Sequence, residues 1–95
     1  MRKFARIDAN QKEIILALRA AGATVKSAAP LGDGFPDLVV GFHGENFLIE
    51  IKDGNKPPSK QELTDDEARF HATWAGSVHC ANCVDAALRI IGAIQ

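Results

Sequence analysis

The segment 37–52 constrains the fold more than any other part of this chain. Asp37-Leu38-Val39-Val40-Gly41-Phe42 and Asn46-Phe47-Leu48-Ile49-Glu50-Ile51-Lys52 are two apolar runs parted only by His43-Gly44-Glu45. A connection that short joins two antiparallel strands as a hairpin. Both runs are apolar on both faces along much of their length. Strands of that kind sit centrally in a sheet that is covered on either side. The rest of the sequence must therefore supply neighbouring strands and covering helices, and with 95 residues it has room for one domain, 1–95, and no second.

Punctuation divides the remainder. Asp8 is placed to cap a helix, with Gln11 three residues later closing a capping box, and Ile14, Ile15 and Leu18 then recur at helical spacing up to Gly22. Residues 23–28 read as a short strand and 30–36 as a loop. The polar stretch Asp53-Gly54-Asn55-Lys56-Pro57-Pro58-Ser59 continues neither strand nor helix. Thr64 caps a second helix with Glu67 in the capping-box position, and Phe70 and Trp74 share a face expected to join the core. Ser77-Val78-His79-Cys80 reads as a strand. Asn82 caps a last helix carrying Val84, Ala87, Leu88 and Ile91, which Gly92 closes. The predicted order is α-β-β-β-α-β-α. Its β-α-β portion is a crossover with parallel strands, so the class is α/β, a mixed central sheet flanked by helices.

Charge gives little away. A net charge of -1 removes the argument from a strongly basic nucleic-acid-binding domain. The basic residues cluster all the same. Arg2, Lys3 and Arg6 make one group, expected as a flexible arm over 1–7. Lys52, Lys56 and Lys60 make another. No apolar run approaches the roughly 20 residues that span a bilayer, and no apolar h-region follows the basic start. With two cysteines and no secretion signal, the expected location is a reducing, cytoplasmic one, with no membrane partner.

Asp37, Glu50 and Lys52 carry the chemistry. Side chains alternate along a strand, so Glu50 and Lys52 share a face. A two-residue Gly44-Glu45 turn of type II′ would pair Val39 with Glu50 and Asp37 with Lys52. Asp37 and Glu50 then become diagonal neighbours roughly 7 Å apart, whereas a one-residue slip would send Asp37 to the opposite face. Two carboxylates about 5 Å apart at an effective dielectric near 20 repel by roughly 3 kcal/mol. A hard divalent cation offsets that repulsion, held by both carboxylates and the Ile51 backbone carbonyl. Such an ion activates water and stabilises charge on phosphate, and Lys52 beside it would hold or deprotonate the water or neutralise the transition state. The structural alternative is an Asp37–Lys52 cross-strand salt bridge with Glu50 at a solvated strand end.

The stretches Gly34-Phe35-Pro36-Asp37-Leu38-Val39-Val40-Gly41 and Leu48-Ile49-Glu50-Ile51-Lys52-Asp53-Gly54 resemble the PD-(D/E)xK nuclease superfamily. The compact VRR-NUC type found in phages, similar in layout to Holliday junction resolvases, fits best. Leu18-Arg19-Ala20-Ala21-Gly22 and Asp85-Ala86-Ala87-Leu88 extend the likeness to about 8–92. The resemblance implies a restriction-endonuclease-like fold. It implies Mg2+- or Mn2+-dependent hydrolysis of DNA phosphodiesters, often in branched DNA, by a homodimer with no small-molecule substrate. Asp37 and Glu50 would be the metal carboxylates and Lys52 the catalytic lysine. Relatives often place an acidic residue on the first helix, for which Gln11 and Glu13 are the candidates, and a glutamine after the lysine loop, where this chain has Glu67. Capping explains Gln11 and Glu67 equally well. Lys56 and Lys60 are candidate phosphate contacts, as are Arg2, Lys3 and Arg6.

Cys80-Ala81-Asn82-Cys83 is a CxxC next to His79, with His71 on the helix before. Zinc would need four ligands, and a redox pair would sit at a helix N-terminus. The plainer reading makes Cys80 a buried small hydrophobe and Cys83 part of the first helical turn. A non-catalytic binder is thus the competing class, either a nuclease-like module with a decayed site or a CxxC protein.

Overall fold

A computed structural model describes residues 8–95. Arg2, Lys3 and Arg6 lie outside the described residues. The element order matches the expectation: α1 (Gln11–Ala20), β1 (Thr24–Ser27), β2 (Leu38–Phe42), β3 (Glu45–Ile51), α2 (Asp65–Thr73), β4 (Val78–Ala81) and α3 (Val84–Ile91), with single 3-10 turns at Ala29–Leu31 and Pro58–Lys60. The sheet runs β1-β2-β3-β4. The first two pairings are antiparallel and the third, β3 with β4 across α2, is parallel. No helix among the described residues is long and apolar enough to cross a membrane.

Alternation along β2 and β3 sorts the two sheet faces. Leu38, Val40, Phe42, Phe47, Ile49 and Ile51 point to one side. Ile14 and Leu18 of α1 and Ala87 and Ile91 of α3 close over them, and Leu38, Val40, Ile49, Ile14 and Leu18 are wholly buried. The other face carries Asp37, Glu50 and Lys52 and is overlain by α2, none of whose residues is buried. Phe70 and Trp74 therefore do not join the core. They stack with ring centroids 4.9 Å apart, and Phe35 meets Phe70 edge-on at 5.2 Å. This small aromatic cluster pins α2 to the loop before β2, and Trp74 stays 44% exposed.

Three local expectations change. The turn is His43-Gly44, with both residues at positive φ (49° and 82°), so Phe42 pairs with Glu45 and the turn is of type I′. His43 tolerates that conformation while stacking on Phe42, with centroids 3.9 Å apart. Moving the turn by one residue shifts the pairing by two, which keeps every side chain on its expected face. The N-cap of α1 is Asn10, not Asp8, and there is no side-chain cap bond. Asn10 instead donates from Nδ2 to the carbonyls of Lys52 and Asn82 (3.0 and 3.1 Å). The N-cap of α3 is Cys83, not Asn82. The Asn82 side chain donates to Gln61 Oε1 (3.0 Å), and its carbonyl accepts from Gly54 N (3.0 Å). The capping box of α2 forms as expected: Thr64 Oγ1 accepts from Glu67 N (3.2 Å) and Glu67 Oε1 accepts from Thr64 N (2.9 Å).

Candidate active site

Asp37 precedes β2, and the β2–β3 register continued by one residue sets it opposite Glu50, not Lys52. The Asp37–Lys52 salt bridge is absent. Asp37 Oδ2 instead accepts from the Ile51 amide at 2.8 Å, which fixes its carboxyl against the end of β3. Glu50 is only 3% exposed, so it is not at a solvated strand end, and its Oε1 is buried with no hydrogen-bond partner among the described residues. Lys52 Nζ donates to Glu67 Oε1 at 2.8 Å and stands 3.9 Å from Glu50 Oε2. Asp37, Glu50 and Lys52 are thus gathered on one sheet face, with α2 closing one side.

The electrostatics follow from burial and crowding. Burial raises the Asp37 pKa and outweighs the stabilising Ile51 N–H. Burial, sharing of a hydrogen bond with Asp37, and the negative charges of Asp37 and Glu67 push Glu50 up to about 9. Burial works against the Lys52 ammonium, but the hydrogen bond and charge of Glu67, with the charge of Glu50, more than reverse it and raise the Lys52 pKa. Burial likewise opposes the Glu67 carboxylate, and hydrogen bonds from Lys52 and the Thr64 amide hold its pKa below the ordinary value. Two carboxyls that compete for one proton, beside an orphaned carboxylate oxygen, form a set of hard donors suited to a divalent cation. Among the described residues no three His, Cys, Asp or Glu side chains gather closely enough to hold a metal alone. Backbone carbonyls and waters are the further donors such an ion ordinarily takes.

A cleft of about 630 Å³ opens over Glu50 and Lys52. Lys56 and Lys60 line it, so the expected basic loop does face the motif. That loop is braced. Asp53 Oδ1 accepts from Asn55 N (3.0 Å), Gln61 Nε2 donates to the Lys56 carbonyl (2.7 Å), and Asn82 holds Gln61. Asp8 also lines the cleft. It was read as a helix cap, but with capping not required of it the carboxylate faces Lys52 and adds to the negative field on Asp37. The sequence points to Gln11 and Glu13 on the first helix, whereas the acidic side chain by that helix that lines the cleft is Asp8, three residues before Gln11. Glu13 is exposed and lines a separate hollow with Asp53 and Cys83. Gln11 is buried and borders another hollow with Leu16 and Ser27. Neither shares the cleft with Lys52. Glu67 does, and it serves the capping box and the lysine with one oxygen.

Cys80 and Cys83 are free thiols, and both are exposed. Cys80 was expected to be buried. It lies on β4, the edge strand of the sheet, on the face that carries Glu50. Its register partner is Glu50, which sets the thiol beside the cleft.

No family profile matches the chain, and no curated protein sequence matches it. A solved structure described as a VRR_NUC domain is similar, with a TM-score of 0.63, 24% sequence identity, and coverage of 85% of this chain and 88% of that one. The chain therefore shares the α/β fold of that domain, a four-stranded mixed sheet flanked by helices. The structural likeness and the sequence motifs lead to the same type, the VRR_NUC domain fold.

Proposed function

We propose that this chain is a divalent-metal-dependent endonuclease of the VRR-NUC type that hydrolyses phosphodiester bonds in DNA. The observation that carries the reading is the meeting of Glu50 and Lys52 in one cleft with Lys56 and Lys60 on its wall, with Asp37 opposite Glu50 on the same sheet face. Asp37 and Glu50 would hold Mg2+ or Mn2+, with the Ile51 carbonyl as a further oxygen donor. When bound, such an ion lowers the pKa of a water and offsets charge on the scissile phosphate. Asp37 keeps its orientation through the Ile51 amide. Lys52, held as an ammonium, donates to the attacking water or to a non-bridging oxygen and neutralises charge as the pentavalent phosphorus forms. The water oxygen bonds to phosphorus and gives up a proton to solvent while the bond to the 3′ oxygen breaks, and that oxygen takes up a proton from solvent, giving a 5′-phosphate and a 3′-hydroxyl. Lys56 and Lys60 would bind flanking phosphates.

Branched DNA such as a four-way junction is the preferred substrate in this reading, and a homodimer supplies two sites for two strands. The test incubates the protein with a labelled four-way junction, a flap, a linear duplex and a single strand, each with Mg2+, Mn2+ or chelator, beside Lys52→Ala. Metal-dependent cuts lost in the variant are expected. Removing a charge-stabilising donor of this kind costs about 100- to 1,000-fold in rate. A protein monomeric by light scattering at working concentration would remove the dimer. The second reading is a DNA-binding module with an inactive site, and the engagement of Lys52 by Glu67 is the feature that favours it. Binding of junctions with no cleavage under any metal would decide for it.

A further inference from the structure

Lys52 has two carboxylates within reach, and the structure shows it choosing between them. Its Nζ is 2.8 Å from Glu67 Oε1 and 3.9 Å from Glu50 Oε2. Glu67 is not free to wander after the lysine. The same Oε1 accepts from the Thr64 amide at the start of α2, and the Glu67 amide is bound in return by Thr64 Oγ1. Helix α2 is itself fixed beside the site. A Cβ on Gly34 would lie 2.4 Å from the Asp66 carbonyl oxygen and 3.0 Å from Glu67 N, so the loop leading to Asp37 is seated directly on the first turn of α2. The cluster of Phe35, Phe70 and Trp74 closes the same contact from the side. Glu67 is thus a fixed anion on the flank of the site, and Glu50 is left with a buried oxygen that no described residue satisfies.

We propose that Glu67 is a positioning residue that holds the Lys52 ammonium off Glu50, keeping the Asp37–Glu50 pair open to a divalent cation. Without Glu67 the ammonium has one carboxylate left within its reach, Glu50, and an ammonium seated there would compete with the cation for the same oxygens. The proposal rests on the metal-binding reading of Asp37 and Glu50 but makes a claim of its own. The remote contact at Gly34 and Phe35 acts on the chemistry through the position of one lysine.

The test is a double-mutant cycle read as Mn2+ affinity, by calorimetry or electron paramagnetic resonance, with no nucleic acid present. Glu67→Ala is expected to weaken Mn2+ binding about tenfold. In a Lys52→Met background the same change is expected to have less than about a twofold effect, because no ammonium remains to fall onto Glu50. Glu67→Asp keeps the charge at the start of α2 and shortens its reach. It is expected to behave like Glu67→Ala, and it serves in its place if loss of the capping box unfolds the protein. An equal loss in both backgrounds would show that Glu67 acts only through its charge or through folding. Unchanged affinity in Glu67→Asp would overturn the proposal in the same way. Wild-type protein that takes up no Mn2+ would sink the metal reading and this inference with it, whereas the other two outcomes sink the role of Glu67 alone.

Discussion

Glu50 is a carboxyl held where a charge is expensive. Asp37 crowds it from just before β2, Glu67 faces it from α2, Cys80 adjoins it on β4, and Lys52 is its one ion-pair partner among the described residues. Its pKa of about 9 in the fold, against 4.5 for the free side chain, means that the folded metal-free protein binds a proton that the unfolded chain has released between those values. Stability must then fall as pH rises through that window. In chelator, the melting temperature is expected to drop steadily from about pH 5 to about pH 8.5, and Glu50→Gln to flatten the slope. Saturating Mn2+ should recover most of the loss at the upper end, since the cation replaces the proton. A melting temperature that rises over this range would refute the assignment. Asp8 is the other residue to test. It lines the cleft, and no cap bond depends on its side chain. Asp8→Asn is expected to weaken Mn2+ binding by a few-fold while changing unfolding free energy by less than about 0.5 kcal/mol, as substitutions clear of core and cap contacts usually do. A large stability loss in urea unfolding would return Asp8 to a structural role.

At the scale of elements, the site depends on how α2 meets the loop before β2. Gly34 has φ of 79° and no room for a methyl group. Gly34→Ala must therefore both strain the backbone and push α2 away, at a cost of about 1–3 kcal/mol in urea unfolding. Cleavage should fall further than stability explains, because Glu67 moves with the helix. Wild-type stability in this variant would show that α2 is not seated as described. Such contacts mark the boundary of what the sequence discloses. The hairpin, the crossover and the α2 capping box were legible because hydrophobic runs and Thr64-x-x-Glu67 are local signals. The exact turn was not, since Gly44 suits two turn types. The error was harmless because a shift of two leaves Asp37, Glu50 and Lys52 on one face. The caps of α1 and α3 were misassigned for a different reason. Asn10 bonds to carbonyls 42 and 72 residues away, and Asn82 to a side chain 21 residues away. No local reading of Asp8 or Asn82 can see those partners. The burial of Phe70 and Trp74 was overestimated likewise: helical spacing tells which residues share a face, not whether a sheet lies deep enough beneath it.

For the whole molecule the question is how a chain of net charge -1 holds a polyanion. The answer in the proposed reading is segregation. Lys56 and Lys60 stand on the braced loop at the cleft, and of the carboxyls there Glu50 is buried and Glu67 is paired with Lys52, which leaves Asp8 and Glu62 on the wall. A bound divalent cation would neutralise the rest locally. Binding should then depend on few phosphate contacts and be sensitive to salt in proportion. With Lys52→Ala protein, which would bind without cutting, the affinity for a four-way junction is measured against salt concentration. Replacing Lys56 and Lys60 together by alanine is expected to reduce the magnitude of the log–log slope by about 1.8, the release of about 0.9 counterion per lost contact on duplex DNA. The loss of affinity should be similar for junction, flap and duplex, because phosphate contacts carry no sequence or branch information. If the slope is unchanged, the two lysines do not meet phosphate and the cleft is not the DNA path. If the slope falls but the junction alone loses affinity, the loop reads branch geometry, and the preference for branched DNA resides in residues 53–64 and not in the pairing of two protomers.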